Sequence, residues 1–219
     1  GVYEIIGNGA DIWGTADSFH FAYNEVAGDV RFELSPAWES AHNYWAKIET
    51  MIRVDLSPGS RFIGTATRKG DVDTTPPGVQ PVHNWVGTQK RDAANGGASG
   101  GTEWSGSTPA KIGVQKVTVS GWQFVEMLVD YGTGSGWEVL NQYLNPGLAD
   151  TLLVGAAVTS HESGGLARAV ISDVAYTANP ELIGGVPGVK VSETIEPCGD
   201  LPGFMVKVVQ APEGTDLNG

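Results

Sequence analysis

The strongest constraint on the fold is a series of short segments in which apolar and polar residues alternate. Residues 30–34 (VRFEL) put three apolar side chains on one face of an extended chain, because successive side chains of a strand point to opposite faces. Residues 18–24, 112–119 and 166–176 alternate in the same way. No segment of the sequence has a strong helical periodicity. The 31 glycines and 12 prolines separate the apolar runs, as turn residues do in all-β proteins.

Turn residues lie between pairs of these segments and predict antiparallel hairpins. A short turn that contains glycine or proline lets an extended chain reverse and pair with itself. Evenly spaced strands joined in this way are typical of a sandwich or a barrel. The hairpin turns are expected at Gly28-Asp29, at residues 57–60 (SPGS) and at Ser120-Gly121.

Other segments carry different or weaker signals. Residues 152–159 form a nearly continuous apolar run, which predicts a strand buried on both faces. Residues 37–45 are the best candidate for a helix, although a loop fits them equally well. Residues 69–108 are the least regular part, with a strand candidate at residues 82–90 and a tract rich in Gly, Ala, Ser and Asn at residues 93–106. Loops of this length are uncommon and are often functional or mobile.

The character of the chain changes at Asn179-Pro180, after which glycine and proline become frequent. We therefore predict one β domain over residues 1–178, followed over residues 179–219 by a linker and a C-terminal tail. The tail is interpreted as an appended hairpin or as the start of a further domain. Cys198 is the single cysteine and cannot form an intrachain disulfide. An inert thiol is the expected state, and pairing with another chain is the alternative.

The charge of the chain excludes some classes of partner. The formal net charge is -12 and the pI is about 4.6, whereas nucleic acid and anionic membrane surfaces are bound through Lys and Arg. We therefore expect no nucleic-acid partner. No apolar run approaches the roughly 18–20 residues that a membrane-spanning helix needs, so membrane insertion is not expected.

Four ordered motifs resemble a known family. Together they resemble the DUF1349-like domains of the concanavalin A-like lectin/glucanase superfamily, which are common in large secreted bacterial proteins. The resemblance covers about residues 9–176. It implies a jelly-roll, two-sheet antiparallel β-sandwich and an extracellular or cell-surface location. The motifs are residues 9–21 (GADIWGTADSFHF), 45–61 (WAKIETMIR, then SPGSR), 90–94 (KRDAA) and 154–161 (VGAAVTSH). Glu49-Thr50 stands where the family usually has two small residues.

Aromatic residues on polar loops are the best candidates for ligand binding, since sugar sites stack apolar sugar faces on Trp and Tyr. Trp85 and Trp104 lie among polar residues of the irregular segment and are the predicted aromatic contacts. Arg91 and Arg53 are the candidates for bonding to ligand hydroxyl groups. Packing of the loop and pairing with carboxylates are the alternative roles of these four residues.

Aromatic residues within strand patterns receive a different interpretation. Trp13, Trp45 and Trp122 are expected in the core. Asp11 and Asp17 lie close to Trp13 in the first motif. We interpret these two carboxylates as turn caps that accept backbone N–H groups, with a ligand pocket as the alternative.

The sequence has no convincing catalytic motif, and we expect the protein not to be an enzyme. Glucanases of this superfamily carry their carboxylates in an E-x-D-x-x-E strand, and no such pattern occurs here. Glu126 and Asp130 share a strand face, but such pairs are usually solvated. A Ser160-His161 site lacks the G-x-S-x-G elbow. Glycoside hydrolysis, which needs two carboxylates across the scissile bond, is the least favoured function.

Metal binding has one weak candidate. Asp71 and Asp73 form a D-x-D fragment that resembles part of a calcium loop, but calcium takes about six to eight oxygen ligands. The four histidines show no zinc-binding spacing. No cofactor is expected, with calcium as the one candidate.

Two functions remain in competition. The first is a non-catalytic carbohydrate-binding or adhesive module within a larger secreted protein, whose partner is a glycan. The second is a purely structural or assembly module of a surface or filament protein, whose partner is a neighbouring protein domain, for example through strand addition at a sheet edge.

Overall fold

The computed structural model of the chain describes residues 1–69, 85–104 and 108–185, together with four two-residue strands in the C-terminal part. The chain divides into two compact units, Gly1–Ile183 and Gly184–Gly219. In the second unit, Lys190–Val191 pairs with Val209–Gln210, and Glu196–Pro197 pairs with Met205–Val206. The calcium candidates Asp71 and Asp73 and the thiol Cys198 lie outside the described residues, and so does the side chain of Trp104.

The first unit is the predicted two-sheet antiparallel β-sandwich, which is thereby confirmed. One six-stranded sheet has the order β1-β12-β3-β8-β9-β10, and the other has the order β2-β11-β4-β5-β6-β7. Within its described residues, the chain contains no helix that is long and apolar enough to cross a membrane. The strands are β1 (Tyr3–Gly9), β2 (His20–Ala27), β3 (Val30–Ala41), β4 (Lys47–Arg53), β5 (Phe62–Arg68), β6 (Val86–Arg91), β7 (Ser99–Trp104), β8 (Lys111–Val119), β9 (Trp122–Asp130), β10 (Glu138–Leu144), β11 (Thr151–Thr159) and β12 (Glu162–Ala178).

The main core lies between the two sheets. The apolar set of the alternating β3 strand, Val30, Phe32 and Leu34, is buried there. Strand β11 is buried from Leu152 to Thr159, so the prediction of a strand covered on both faces is confirmed. It lies inside its sheet between β2 and β4, which explains why it needs no polar face.

Two of the three predicted hairpins are present. Strands β4 and β5 pair across the turn at residues 57–60, and β8 and β9 pair across Ser120-Gly121. Ser120 and Gly121 have φ angles of 51° and 83°. Positive φ at both central residues is what a two-residue hairpin turn of the I′ type requires.

The predicted hairpin at Gly28-Asp29 is wrong, because β2 and β3 lie in different sheets. The turn instead carries the chain from one sheet to the other. Its polar groups pair with distant segments: Gly28 N donates to Asp150 O at 3.2 Å, Asn179 N donates to Asp29 O at 3.1 Å, and Thr118 N donates to the Asp29 carboxylate at 2.6 Å. These partners satisfy a turn that has no strand ladder of its own.

Two further expectations at the strand ends are corrected. The helix candidate at residues 37–45 is largely the end of β3, which continues to Ala41. Beyond Leu34, β12 is the one strand among the described residues that pairs with β3, so Pro36 lies where a missing N–H is tolerated. The tract at residues 93–106 contains the edge strand β7, whose ladder with β6 compensates for its weak strand propensity.

Glu126, which was expected to be solvated, is fully buried on β9. Its carboxylate accepts hydrogen bonds from Gln115 Nε2 at 2.6 Å, Gln142 Nε2 at 2.7 Å and the backbone N–H of Ile183 at 2.9 Å. The carboxylate therefore fastens residues 181–183 to the first sheet.

We predict that Glu126→Gln lowers the free energy of unfolding by about 1–3 kcal/mol, because one amide NH₂ would face donors that now bond to carboxylate oxygen. Urea unfolding measures this change. Asp130→Asn, at a half-buried position on the same strand, is the control. Equal stability of both variants and the native protein would contradict the proposed role of Glu126.

Candidate functional site

The segment that joins β1 to β2 covers the outer face of the second sheet. Ile12 of this segment is fully buried and forms a second apolar cluster with Met51, Phe62 and Ala157. Every residue of β4 and β5 is buried: one face of each strand lies in the main core, and the outer face is covered by residues 10–19 and, at Arg68, by Trp45 and Trp85. The outer face is therefore buried at β4 and β5, whereas β2 of the same sheet is largely exposed.

Asp17 anchors the covering segment through two buried arginines. Arg91 binds the carboxylate through both terminal nitrogens, each at 2.6 Å, and Arg53 Nη1 lies 2.7 Å from Asp17 Oδ2. The remaining guanidinium N–H groups donate to backbone carbonyls, among them Ser57 O at 2.6 Å and Gly14 O at 3.1 Å. Bidentate, fully bonded geometry of this kind is what makes a buried ion pair favourable.

Two of the four predicted ligand-binding residues, Arg53 and Arg91, belong to this buried cluster. Arg53 and Arg91 are each 1% exposed, so neither guanidinium is accessible to a ligand in this structure. Their position follows from strand alternation, since Arg53 shares the outer face of β4 with Lys47 and Glu49. Asp17 was predicted to cap a turn through backbone N–H groups. Its carboxylate instead binds the side chains of Arg53 and Arg91.

We predict that Asp17→Asn lowers the free energy of unfolding by about 3–5 kcal/mol, because two buried guanidinium groups lose their counter-charge. Chemical denaturation followed by tryptophan fluorescence measures the loss. Asp92→Asn is the matched control, since Asp92 pairs with Lys90 at 2.7 Å but its side chain is 67% exposed. That pair should contribute at most about 1 kcal/mol, and a similar loss in both variants would contradict the anchoring role.

A cavity of about 270 Å³ lies beside this cluster on the same covered face. Three tryptophans, Trp13, Trp45 and Trp85, form its aromatic lining. The polar lining includes Asp11, Lys47, Gln89 and His161. These lining residues come from the β1–β2 segment, from β4 and the residues before it, from β6 and the residue before it, and from the turn after β11.

The aromatic lining is held in place by packing. The rings of Trp45 and Trp85 meet edge to face with centroids 6.2 Å apart, and the imidazole of His161 stacks on Trp45 at 6.1 Å. The Arg68 guanidinium lies 4.2 Å from the Trp45 centroid and 4.8 Å from that of Trp85. Each cation–π contact of this type contributes about 0.5–2 kcal/mol.

The structure changes the interpretation of most tryptophans. Trp13 and Trp122, expected in the core, are 42% and 53% exposed, and Trp45 is half-buried. Trp13 belongs to a connecting segment rather than a strand, and Trp122 directly follows a hairpin turn. Trp85, predicted to contact ligand from a loop, lies immediately before β6, is 4% exposed and lines the cavity.

Asp11 joins the polar groups of the cavity. Its Oδ1 lies 2.6 Å from Lys47 Nζ and accepts the backbone N–H of Ile12 at 2.7 Å. Its Oδ2 lies 3.1 Å from His161 Nε2. Asp11 was predicted to cap a turn, and it accepts one backbone N–H, that of the next residue; the same carboxylate also contacts a lysine and a histidine at the cavity.

A buried carboxyl group lies next to these groups. Gln89, oriented so that its amide suits both neighbours, donates to Glu49 Oε2 at 3.1 Å and accepts from Lys47 Nζ at 3.3 Å. Gly64 leaves room for Glu49, because a Cβ atom at Gly64 would lie 2.2 Å from Glu49 Oε1. Burial raises the pKa of Glu49 to about 8, although the Lys47 charge opposes this shift.

The raised pKa of Glu49 predicts a pH dependence of stability. The unfolded chain releases this proton near pH 4.5 and the folded protein only near pH 8, so the native state binds more protons between these values. The free energy of unfolding should then fall as pH rises from about 4.5 to 8. Glu49→Gln should remove this contribution and should gain stability relative to the native protein as pH rises.

Unfolding midpoints of both proteins across this pH range test the prediction. Glu25→Gln, at an exposed position on β2, should change with pH as the native protein does. A Glu49→Gln profile parallel to that of the native protein would show that Glu49 is already ionised in the folded state.

Three residues that line the cavity carry a buried polar atom without a hydrogen-bond partner among the described residues: Trp85 Nε1, Thr88 Oγ1 and His161 Nδ1. More than about nine in ten buried polar atoms are paired in native proteins. Buried atoms away from the cavity share this state, among them Trp38 Nε1 and Gln115 Oε1, so such atoms do not by themselves locate a ligand.

A second cleft, of about 510 Å³, lies at the edge strands β1 and β2. Its lining is mainly apolar and includes Phe32, Ile171 and Tyr176. It lacks the combination of aromatic walls and oriented charged groups found in the first cavity. Among the described residues, no group of three or more His, Cys, Asp or Glu side chains is placed to hold a metal ion.

Asp11, for which a ligand pocket was the alternative interpretation, lines the cavity, and the family-like motifs supply several other lining residues. Asp11 and Trp13 belong to the first of the four motifs, Trp45 and Lys47 to the second, and His161 to the last. Gln89 directly precedes the third. The motifs are far apart in the chain, and they meet at the cavity and the Asp17 cluster.

Comparison with known proteins shows the fold alone. No family model matches the sequence, and no curated protein matches it. A solved structure, the crystal structure of a functionally unknown protein from Saccharomyces cerevisiae, is similar with a TM-score of 0.57 and 16% sequence identity. The match covers 81% of this chain and 88% of that chain.

Proposed function

We propose that this chain is a non-catalytic carbohydrate-binding module of a larger secreted protein and that it binds sugar in the cavity lined by Trp13, Trp45 and Trp85. The observation that carries the proposal is the combination, in one cavity, of aromatic walls with polar groups already held in fixed orientations. The resemblance of residues 9–176 to domains of secreted bacterial proteins supports an extracellular or cell-surface location.

The aromatic walls suit the apolar face of a sugar ring. Two protein cations already lie near the tryptophan rings: Arg68 over Trp45 and Trp85, and Lys47 Nζ at 5.7 Å from the Trp13 centroid. A quaternary ammonium ligand, which also binds aromatic cages, would be repelled by these charges. A neutral, hydroxyl-bearing ring is the better match.

The polar groups suit sugar hydroxyls, which both donate and accept hydrogen bonds. Asp11, whose side chain is 24% exposed, supplies acceptor oxygens, and the buried Lys47 holds this carboxylate from the base of the cavity. A few placed polar groups in a mainly apolar site give a ligand its orientation. The cavity has this composition.

The carboxylates favour binding over glycoside hydrolysis. A glycosidase needs two carboxyl groups about 5–9.5 Å apart that both reach the substrate. Of the described residues that line the cavity, Asp11 alone carries a carboxylate, and it is held by Lys47 and His161. Glu49 is fully buried and bonds to Gln89.

The alternative is a structural or assembly module, and the second cleft favours it. The cleft lies where the edge strands of both sheets meet the apolar core, and three tyrosines, Tyr3, Tyr23 and Tyr176, lie on it with exposures of 56%, 41% and 38%. Edge strands accept further strands, and aromatic residues are enriched at protein interfaces. A neighbouring protein domain would then be the partner.

A glycan array probed with the 219-residue chain tests the proposal. We predict binding to a defined set of glycans, and a loss of affinity of about tenfold or more in Trp13→Ala, because an aromatic anchor typically contributes more than about 1.4 kcal/mol. Trp122→Ala is the matched control, since Trp122 is as exposed as Trp13 and lies on the other sheet.

The possible outcomes separate the two functions. Equal loss in both variants would place the sugar site elsewhere. No glycan binding by the native chain, with and without added calcium, would reject the carbohydrate-binding proposal and favour the assembly module.

A further inference from the structure

We infer that the cavity receives a single sugar residue, either a free monosaccharide or the terminal residue of a glycan, and excludes the interior of a glycan chain. This inference rests on the proposed carbohydrate-binding function. It concerns the shape of the site, whereas the proposal above concerns its chemistry.

Neighbouring side chains form a continuous wall from Asp11 to Trp85. Asp11 contacts His161 at 3.1 Å, His161 stacks on Trp45, and Trp45 contacts Trp85. Beyond Trp85, strand β6 runs beneath the cavity to Gln89, which pairs with Gly100 of β7.

Trp13 walls the side of the cavity next to β7. Its ring carbon Cη2 lies 3.5 Å from the position that a Cβ atom on Gly100 would occupy, so the indole reaches from the β1–β2 segment to β7. Trp13 is also linked along the chain to Asp11, where the wall begins. A glycan that passes through a site needs a groove open at two ends, whereas the walls formed by the described residues are open on one side, above the β6–β7 ladder.

The base of the cavity is closed by strand residues. Lys47 and Gln89 are almost fully buried, and Glu49 bonds to Gln89. These groups are tied to one another and to Asp11, so little movement is available to deepen the cavity.

The volume agrees with a small occupant. The cavity measures about 270 Å³, which is near the lower limit of the roughly 300–1,000 Å³ of sites for drug-sized ligands. A single hydroxylated ring is the appropriate size class, and two linked rings require more space or an open end.

Gly100 sets the width of the cavity. A methyl group at this position would make an ordinary contact with Trp13 rather than a clash, and its φ angle is not in the left-handed region. Gly100→Ala should therefore fold normally and narrow the cavity. Gly97→Ala is the matched control, because a Cβ atom there meets open space.

Competition and trimming experiments test the inference on a glycan that the array identifies. Isothermal titration calorimetry is carried out with that glycan, with the same glycan after an exoglycosidase removes its terminal residue, and with D-glucose, D-galactose, D-mannose and N-acetyl-D-glucosamine. We expect trimming to abolish binding, one monosaccharide to compete, and Gly100→Ala, but not Gly97→Ala, to weaken binding by about tenfold, as a group added to a well-packed site does.

The arms of the experiment distinguish the sources of the sugar and the causes of failure. Equal affinity for the monosaccharide and the glycan assigns a free monosaccharide, and higher affinity for the glycan assigns a chain end. Binding that survives trimming, that no monosaccharide displaces and that Trp13→Ala still abolishes would overturn the terminal-residue inference and leave the sugar-binding function intact. No binding to any glycan would overturn both.

Discussion

The rest of the structure depends on the buried contact between one carboxylate and two guanidinium groups. Asp17 lies in a connecting segment, and its bonds to Arg53 and Arg91 fix that segment to the second sheet. The desolvation of three charges is costly, but every guanidinium nitrogen donates to Asp17 or to a backbone carbonyl. The result is a rigid attachment that brings Ile12 into its apolar cluster and holds Asp11 and Trp13 at the cavity.

Covering the outer face of a sheet changes the chemistry of the residues on it. Lys47 and Glu49 occupy strand positions that would face solvent in a simple two-layer sandwich. Under the covering segment they are buried, so the Glu49 carboxyl group keeps its proton to about pH 8 and Lys47 depends on Asp11 for its counter-charge. Groups fixed in this way lose little further entropy when a ligand binds, which favours recognition of small polar molecules.

The fold was largely predictable from local patterns, and the site was not. Alternation predicted the buried face of β3, and the Ser120-Gly121 turn predicted its hairpin because both signals act over a few residues. The hairpin predicted at Gly28-Asp29 was wrong because the hydrogen-bond partners of this turn, such as Asp150, are distant in sequence. Arg53 and Arg91 lie 36 and 74 residues from Asp17, and no periodicity reports such contacts. The family-like motifs do contain the segments that meet at the site. They do not predict what the side chains in those segments contact.

Two charged clusters on one sheet face differ in their access to solvent. The Asp17 cluster is closed, since its guanidinium nitrogens all have partners and its side chains are inaccessible. The Asp11 cluster borders a cavity, and the Asp11 and His161 side chains there are 24% and 30% exposed. A fold shared at 16% identity cannot assign a role, so the proposed binding function rests on these partly exposed polar groups and on the aromatic walls beside them.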